Sequence, residues 1–477
     1  MTQFVNAAEL IRRDLRLIDF HGNLIDHVEI NNRRLFYKHQ LYHLLGGDTV
    51  GRTVFIGHNN FDHIVPCLQA VWELGANVFV HDFHVGYTAI PEFRGFYDFV
   101  DVVIHDHVVR EAFADKISFS TTDYAPQAQY AEIEWQISAP IDANTVAVKT
   151  HSSGTTGMPK IVDFTHQLVA DLTHNLIGMF GFNMHDRAFH WKTLHHASLF
   201  LNYAIPLLHV SSTHFWSRSD LLEGGSYDGA TFASRVLPYA YQFGVTRMLV
   251  PYDWLQDFDR ARPTDLMGKL SLHCIRGTTP NKVSWVMENL KPREILDIFG
   301  CSEVGVMFVG RITPDNYKGF QPGVFHEIMP NLEYRFNPTS VDVRWAGHAW
   351  HSIEDVFESL DHGVRFRARN YKIWRGKRAV DIAPLDTYLR EHFGTSQFQV
   401  VGDFQDNELY LAVFDDSMPA DLDRINQDIA RDLSPWHVLK AVKRFDLPEV
   451  LSGMKPSRPI LLYAFKQQEL DHAPTSS

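Results

Sequence analysis

The residues best suited to chemistry lie in the run Lys149-Thr150-His151-Ser152-Ser153-Gly154-Thr155-Thr156-Gly157-Met158-Pro159-Lys160. Gly154 and Gly157 let backbone amides turn towards an anion where a side chain would obstruct them. Ser152, Ser153, Thr155 and Thr156 add hydroxyl donors, and Lys160 brings a positive charge to phosphate oxygens. The run is not a Walker A loop, because the lysine does not directly follow the second glycine and no Ser or Thr comes after it. It is not the dinucleotide fingerprint either. The alternative is a polar turn ahead of a helix. A second stretch, Gly300-Cys301-Ser302-Glu303-Val304-Gly305, follows the apolar strand Ile295–Phe299, and the end of a parallel strand is where an open sheet places its ligands. Taken alone, Glu303 more often caps a helix or pairs with a surface cation.

These residues need elements to position them. Val146-Ala147-Val148 reads as a strand entering the first run, and Ile161-Val162 as the strand leaving it. Thr165 then caps a helix whose Leu168, Leu172, Leu176 and Met179 recur on one face, as core. Upstream, Val54–Gly57 reads as a strand and the segment through Val65, Leu68 and Leu74 as a helix stopped at Gly75. Asn77–Val80 is the next strand, an order that implies a parallel sheet. Residues 4–18 carry a helical pattern, Tyr97–Ile104 a strand pattern, and 118–144 reads as irregular. Phe243-Gly244 stops a helix ahead of a buried strand reaching Pro251. Past residue 370, strands are expected at 371–374, 397–402 and 408–415, with a helix near 421–432.

Composition excludes several classes. A formal charge of −13 and a pI near 6.1 argue against a nucleic-acid or anionic-membrane binder. Three dispersed cysteines make no disulfide framework or thiolate cluster, and the 27 histidines show neither H-E-x-x-H nor a compact ligand set. Glu9, Arg12, Arg13, Asp14 and Arg16 stand where a signal peptide would need an apolar segment, and no run is long enough to cross a bilayer. The expectation is a cytoplasmic protein; its oligomeric state is open.

Residues 153–160 reproduce without a gap the S-G-T-T-G-x-P-K signature of the adenylate-forming superfamily, which the chain therefore resembles. That family includes acyl-CoA synthetases, aryl-acid ligases and adenylation domains of peptide synthetases. Further matches follow in order. Phe299-Gly300-Cys301-Ser302-Glu303 resembles the family's Y-G-x-T/S-E stretch, with Phe in place of Tyr. Asp355 is what survives of its T-G-D motif, and Arg369 resembles the arginine before its interdomain hinge. Ser452–Arg458 resembles its terminal lysine region, with one residue inserted before Lys455.

The resemblance implies an α/β fold, with a large N-terminal adenylation domain of parallel-sheet subdomains (1–369) and a small mobile α+β C-terminal domain (370–477). It implies that Ser152 to Lys160 close over the ATP phosphates, that Phe299 stacks on adenine, and that Gly277 and Thr278 run along the base. Ser302 would approach the phosphate or adenylate, and Glu303 would hold Mg²⁺ through a hard carboxylate oxygen. Asp355 would accept hydrogen bonds from ribose hydroxyls, Arg369 would contact ribose or phosphate, and Lys455 would clamp the reacting oxygens. His195, His196, Arg276, Gly300 and Cys301 would line the acyl subsite, with Arg276 standing where the family has glycine. The activity implied is ATP- and Mg²⁺-dependent activation of a small carboxylic acid, aromatic in preference to fatty or amino acid. Transfer to CoA or a phosphopantetheinyl carrier protein follows, an amine being a further possible acceptor. The competing reading is a degenerate member that binds nucleotide or acyl groups without turnover.

Overall fold

The computed structural model describes residues 4–19, 21–58, 60–81, 95–105, 113–126, 128–132, 135–151, 160–191, 194, 197–211, 213–216, 232–251, 267–275, 280–338, 340–369, 372–375, 378–393, 397–403, 406–414, 421–446, 451–452, 455–456 and 458–472. Two large sheets dominate it. The first joins β1 (Thr53–Ile56), β2 (Asn77–Phe79), β3 (Val102–His105), β4 (Ile117–Ser120), β5 (Val146–His151) and β6 (Ile161–Thr165) in the order β4-β3-β1-β2-β5-β6. All neighbours are parallel except β5 and β6. Both faces of its central strands are buried, as a parallel sheet requires. Val54, Ile56, Val78 and Ile104 point into the main core with α1 (His27–Leu44) and α2 (Phe61–Glu73), while Phe55, Phe79 and Val103 point the other way.

The second sheet has nine strands. Its parallel body is β8-β7-β9-β10-β11, made of β7 (Arg187–His190), β8 (Thr213–Trp216), β9 (Arg247–Pro251), β10 (Ser271–Ile275) and β11 (Glu294–Cys301). An antiparallel β12 (Gly305–Ile312) pairs with β11. α3 (His166–Phe180) packs against both sheets. Thr165 caps it, its hydroxyl accepting from the Leu168 amide at 3.2 Å, and Gly181 closes it with φ of 63°. Beyond the second sheet, β13 (Asp355–Leu360) and β14 (Gly363–Arg369) form an antiparallel pair. The C-terminal part is a small α+β unit of α4 (Ala383–Phe393), β15 (Phe398–Asp403), β16 (Glu408–Val413), α5 (Leu422–Asp432), β17 (Ala441–Arg444) and α6 (Arg458–His472). The expected fold class is found.

Three local expectations are corrected. Residues 4–18 hold a short 3-10 turn, Ala7–Leu10, and a strand, Arg16–Ile18, because that strand completes the second sheet beside β8. The strand expected over 97–104 begins only at Val102, after turns at 95–99, and the 118–144 region contains most of β4. α6 occupies the end of the chain, where the lysine region alone was read. No described helix is long and apolar enough to cross a membrane.

Candidate active site

β11 and β12 make the turn that carries Ser302 and Glu303. Cys301 pairs with Gly305 across it, and the register shifts between Phe299 and Gly300, a bulge that re-aims the strand end. Glycine is obligatory at both shoulders. A Cβ on Gly300 would run into the Gly305 carbonyl, and Gly305 has φ of 76° with Asn202 Oδ1 lying 2.9 Å from where its Cβ would be. Ser302 and Glu303 remain half-exposed at this tip. Burial, then the Glu303 carboxylate, push the Cys301 thiol well above its usual range, so it is no thiolate nucleophile.

Phe299 ties this turn to the next pair of strands. Its ring meets Phe357 of β13 edge-on at 5.0 Å and Phe366 of β14 at 5.4 Å. The same two strands place Asp355 and Arg369 directly opposite each other. Opposed residues of an antiparallel pair have Cβ atoms roughly 5 Å apart, so two residues 14 positions apart in sequence become one local site. Asp355 is fully buried. The Arg369 side chain lies outside the described residues.

The first candidate run is held at its two ends. β5 and β6 form a hairpin in which His151 pairs with Ile161, and Lys149 bonds Asp163 across it at 2.8 Å. Lys160 is exposed at the entry to β6. Ser152, Ser153, Gly154, Thr155, Thr156 and Gly157 lie outside the described residues, as do His195, His196, Arg276, Gly277 and Thr278. Lys455 is described in its backbone only, paired with Ser452 just before α6. Lys466, the nearest later lysine, bonds Asp403 at 2.7 Å and Asp406 at 3.2 Å.

One residue of this region escaped the motif reading. Asp297 sits two positions before Phe299 on β11, hence on the same face, and burial pushes its carboxyl up to about 7. Gly310 of β12 stands opposite it. The signal was an acid inside an otherwise apolar strand.

The arrangement fits a nucleotide with a metal. Among the described residues no cluster of three or more His, Cys, Asp or Glu could hold an ion alone. One half-exposed carboxylate, Glu303, at a strand end suits Mg²⁺, which ordinarily takes one or two carboxylates and completes its shell with phosphate oxygens and water.

The fold is an α/β body with a small C-terminal α+β unit. The profile of the AMP-binding enzyme family matches residues 98–335. The fold is shared with a McyG A-PCP structure complexed with phenylalanyl-adenylate, at 13% identity and TM-score 0.75, covering 99% of this chain and 84% of that one. It is shared with amide bond synthetase McbA from Marinactinospora thermotolerans, at 16% identity and TM-score 0.69, over 96% and 99% of the two chains. O-succinylbenzoate coenzyme A synthetase (MenE) from Bacillus subtilis, in complex with ATP and magnesium ion, matches at 14% identity and TM-score 0.70, over 92% and 96%. No curated protein matches the sequence. The chain belongs to the adenylate-forming superfamily of AMP-binding enzymes, whose members are ATP-using ligases.

Proposed function

We propose that this enzyme joins an aromatic carboxylic acid to AMP, releasing pyrophosphate, and passes the acyl group to a thiol of CoA or of a carrier protein. The observation that carries the reading is the cross-strand pairing of Asp355 with Arg369, joined through Phe357 and Phe366 to the Phe299 ring below the Ser302–Glu303 turn. On this reading the residues for ribose, base and metal-bound phosphate come from three separate stretches of sequence. A carboxylate oxygen attacks the α-phosphorus and pyrophosphate leaves; the thiol then attacks the acyl carbon and AMP leaves. Lys160 and the run before it would hold the leaving phosphates, Mg²⁺ at Glu303 would neutralise their charge, and Lys455 would meet the charge that develops at the α-phosphate. The preference for an aromatic acid rests on the aromatic residues of the chain and on His195 and His196, which suit stacking and hydrogen bonding to an aryl acid.

Acid-dependent ATP–pyrophosphate exchange over aryl, fatty and amino acids tests the substrate class. Aryl acids are expected to give the strongest exchange; a response to amino acids alone would overturn the aromatic assignment. Offering thiol and amine acceptors to the loaded enzyme then decides the second step, with thioester as the expected product.

A further inference from the structure

The outer face of the six-stranded sheet meets a part of the chain far away in sequence. Phe55, Phe79 and Val103 project from that face and join Tyr97, Val100 and Phe113 in one buried apolar cluster. The rest of the cluster comes from the C-terminal unit, including Tyr410 and Ala412 of β16 and Ile460, Leu461 and Phe465 of α6. Leu461 is fully buried and Phe465 is 1% exposed. α6 is itself fastened to its own sheet, Phe465 lying 4.8 Å from the Tyr410 ring and Lys466 bonding Asp403 at 2.7 Å. The backbone of Lys455 pairs with Ser452 and lies three residues ahead of α6.

We propose that α6 is a latch, seating the C-terminal unit on the outer face of the six-stranded sheet and thereby fixing the station of Lys455. A parallel sheet is stable only with both faces covered, and among the described residues this face takes part of its cover from the C-terminal unit. A unit held by the covalent connection alone would sample many orientations. Shared burial of aromatic and aliphatic side chains selects one of them. The consequence for catalysis rests on the reading of Lys455 as the reacting cation. If that lysine must withdraw before the thiol attacks, the seat must open once per turnover, and its strength sets the rate of exchange between the two steps.

The seat can be tested from both sides. Val100→Asp places a charge in the cluster from the N-terminal part, and Leu461→Asp does so from α6. Each variant is expected to enlarge the radius of gyration in small-angle scattering and to speed hydrogen exchange in β16, in α6 and around residues 95–104, leaving β7–β11 protected. Val100→Asp decides the matter, since Leu461→Asp could unfold the small unit on its own account. Unchanged scattering and unchanged α6 exchange in Val100→Asp would overturn the proposal. Phe465→Ala provides a milder variant should the charged ones fail to fold; it should raise α6 and residue 95–104 exchange together, and acceleration in α6 alone would count against the seat. Single-turnover adenylation separates this inference from the one beneath it. A released unit with adenylation slowed at least tenfold supports both, whereas release with adenylation unchanged would keep the seat and remove Lys455 from the reaction.

Discussion

At the scale of single residues, the proposed function has Lys455 and Glu303 divide the first chemical step between charge and metal. Lys455→Ala is expected to slow adenylate formation about a hundredfold, a loss of roughly 3 kcal/mol typical of a preorganised charged contact, with ATP affinity little changed. Glu303→Ala should instead raise the Mg²⁺ concentration needed for half-maximal rate. Rapid-quench adenylation and a Mg²⁺ titration separate the two; a Lys455→Ala enzyme at the unmodified rate would remove that residue from the mechanism. Asp297 gives a test in pH. Burial holds its folded carboxyl up at about 7, above the ordinary carboxylate range, so the stability it allows is fully present at low pH and is lost as pH rises through about 7. Asp297→Asn should therefore gain stability relative to the parent between pH 4 and pH 8, read from denaturant melts. A constant difference across that range would contradict the assignment. Ser302, Glu303 and Asp355 stand out in the sequence as short motifs because the chemistry proposed for them restricts residue type at those points. Asp297 was not, because an acid two residues before a motif gains meaning only when strand parity puts it on the same face as Phe299.

At the scale of elements, two features deserve measurement. The turn between β11 and β12 tolerates no side chain at Gly300, whose Cβ would meet backbone. Gly300→Ala must open the turn, at a cost of about 1–3 kcal/mol typical of overpacking, and should lower kcat far more than it raises the KM for ATP. The second feature is a set of buried histidines. Burial holds His214 and His166 at about 4 and His63 at about 3, and depresses His190 and His273 well below the usual imidazole range. A base depressed in the folded state contributes stability that is present above pH 6.5 and lost as pH falls, at about 1.4 kcal/mol per pH unit for each proton taken up on unfolding. Stability should therefore drop steeply between pH 6.5 and about 4, outweighing the single opposite contribution of Asp297. His273 offers the cleanest variant. Its ring stacks on Phe182 at 5.3 Å and neither nitrogen has a hydrogen-bond partner among the described residues. His273→Phe should stabilise the fold by roughly 1–3 kcal/mol, since it deletes an unmet polar group, and by more at pH 5 than at pH 7. A loss of stability at pH 7 would mean the ring has an essential partner. α3 was readable from Thr165 and its apolar repeat. α1 was not, because its charged residues are consumed in ion pairs such as Arg33 with Glu29 at 2.8 Å, which no periodicity announces.

At the scale of the whole molecule, the order of motifs along the chain disclosed the class of protein, while their meeting in space depended on pairings that the order does not contain. Nothing in the spacing of Asp355 and Arg369 states that β13 and β14 oppose them, and nothing near Phe55 or Phe79 announces that α6 lies over that face. Long-range contacts of this kind are set by which apolar faces need cover, not by local propensity. The account as a whole turns on one bond, that between a carboxylate oxygen and the α-phosphorus of ATP. The direct measurement uses an acid labelled with ¹⁸O in its carboxylate, turned over with ATP, Mg²⁺ and a thiol acceptor, with the nucleotide product read by mass spectrometry. One labelled oxygen is expected in AMP, because the oxygen that attacks phosphorus stays with it when the thiol takes the acyl group. Label appearing in inorganic phosphate alongside ADP, or AMP formed without label, would contradict it.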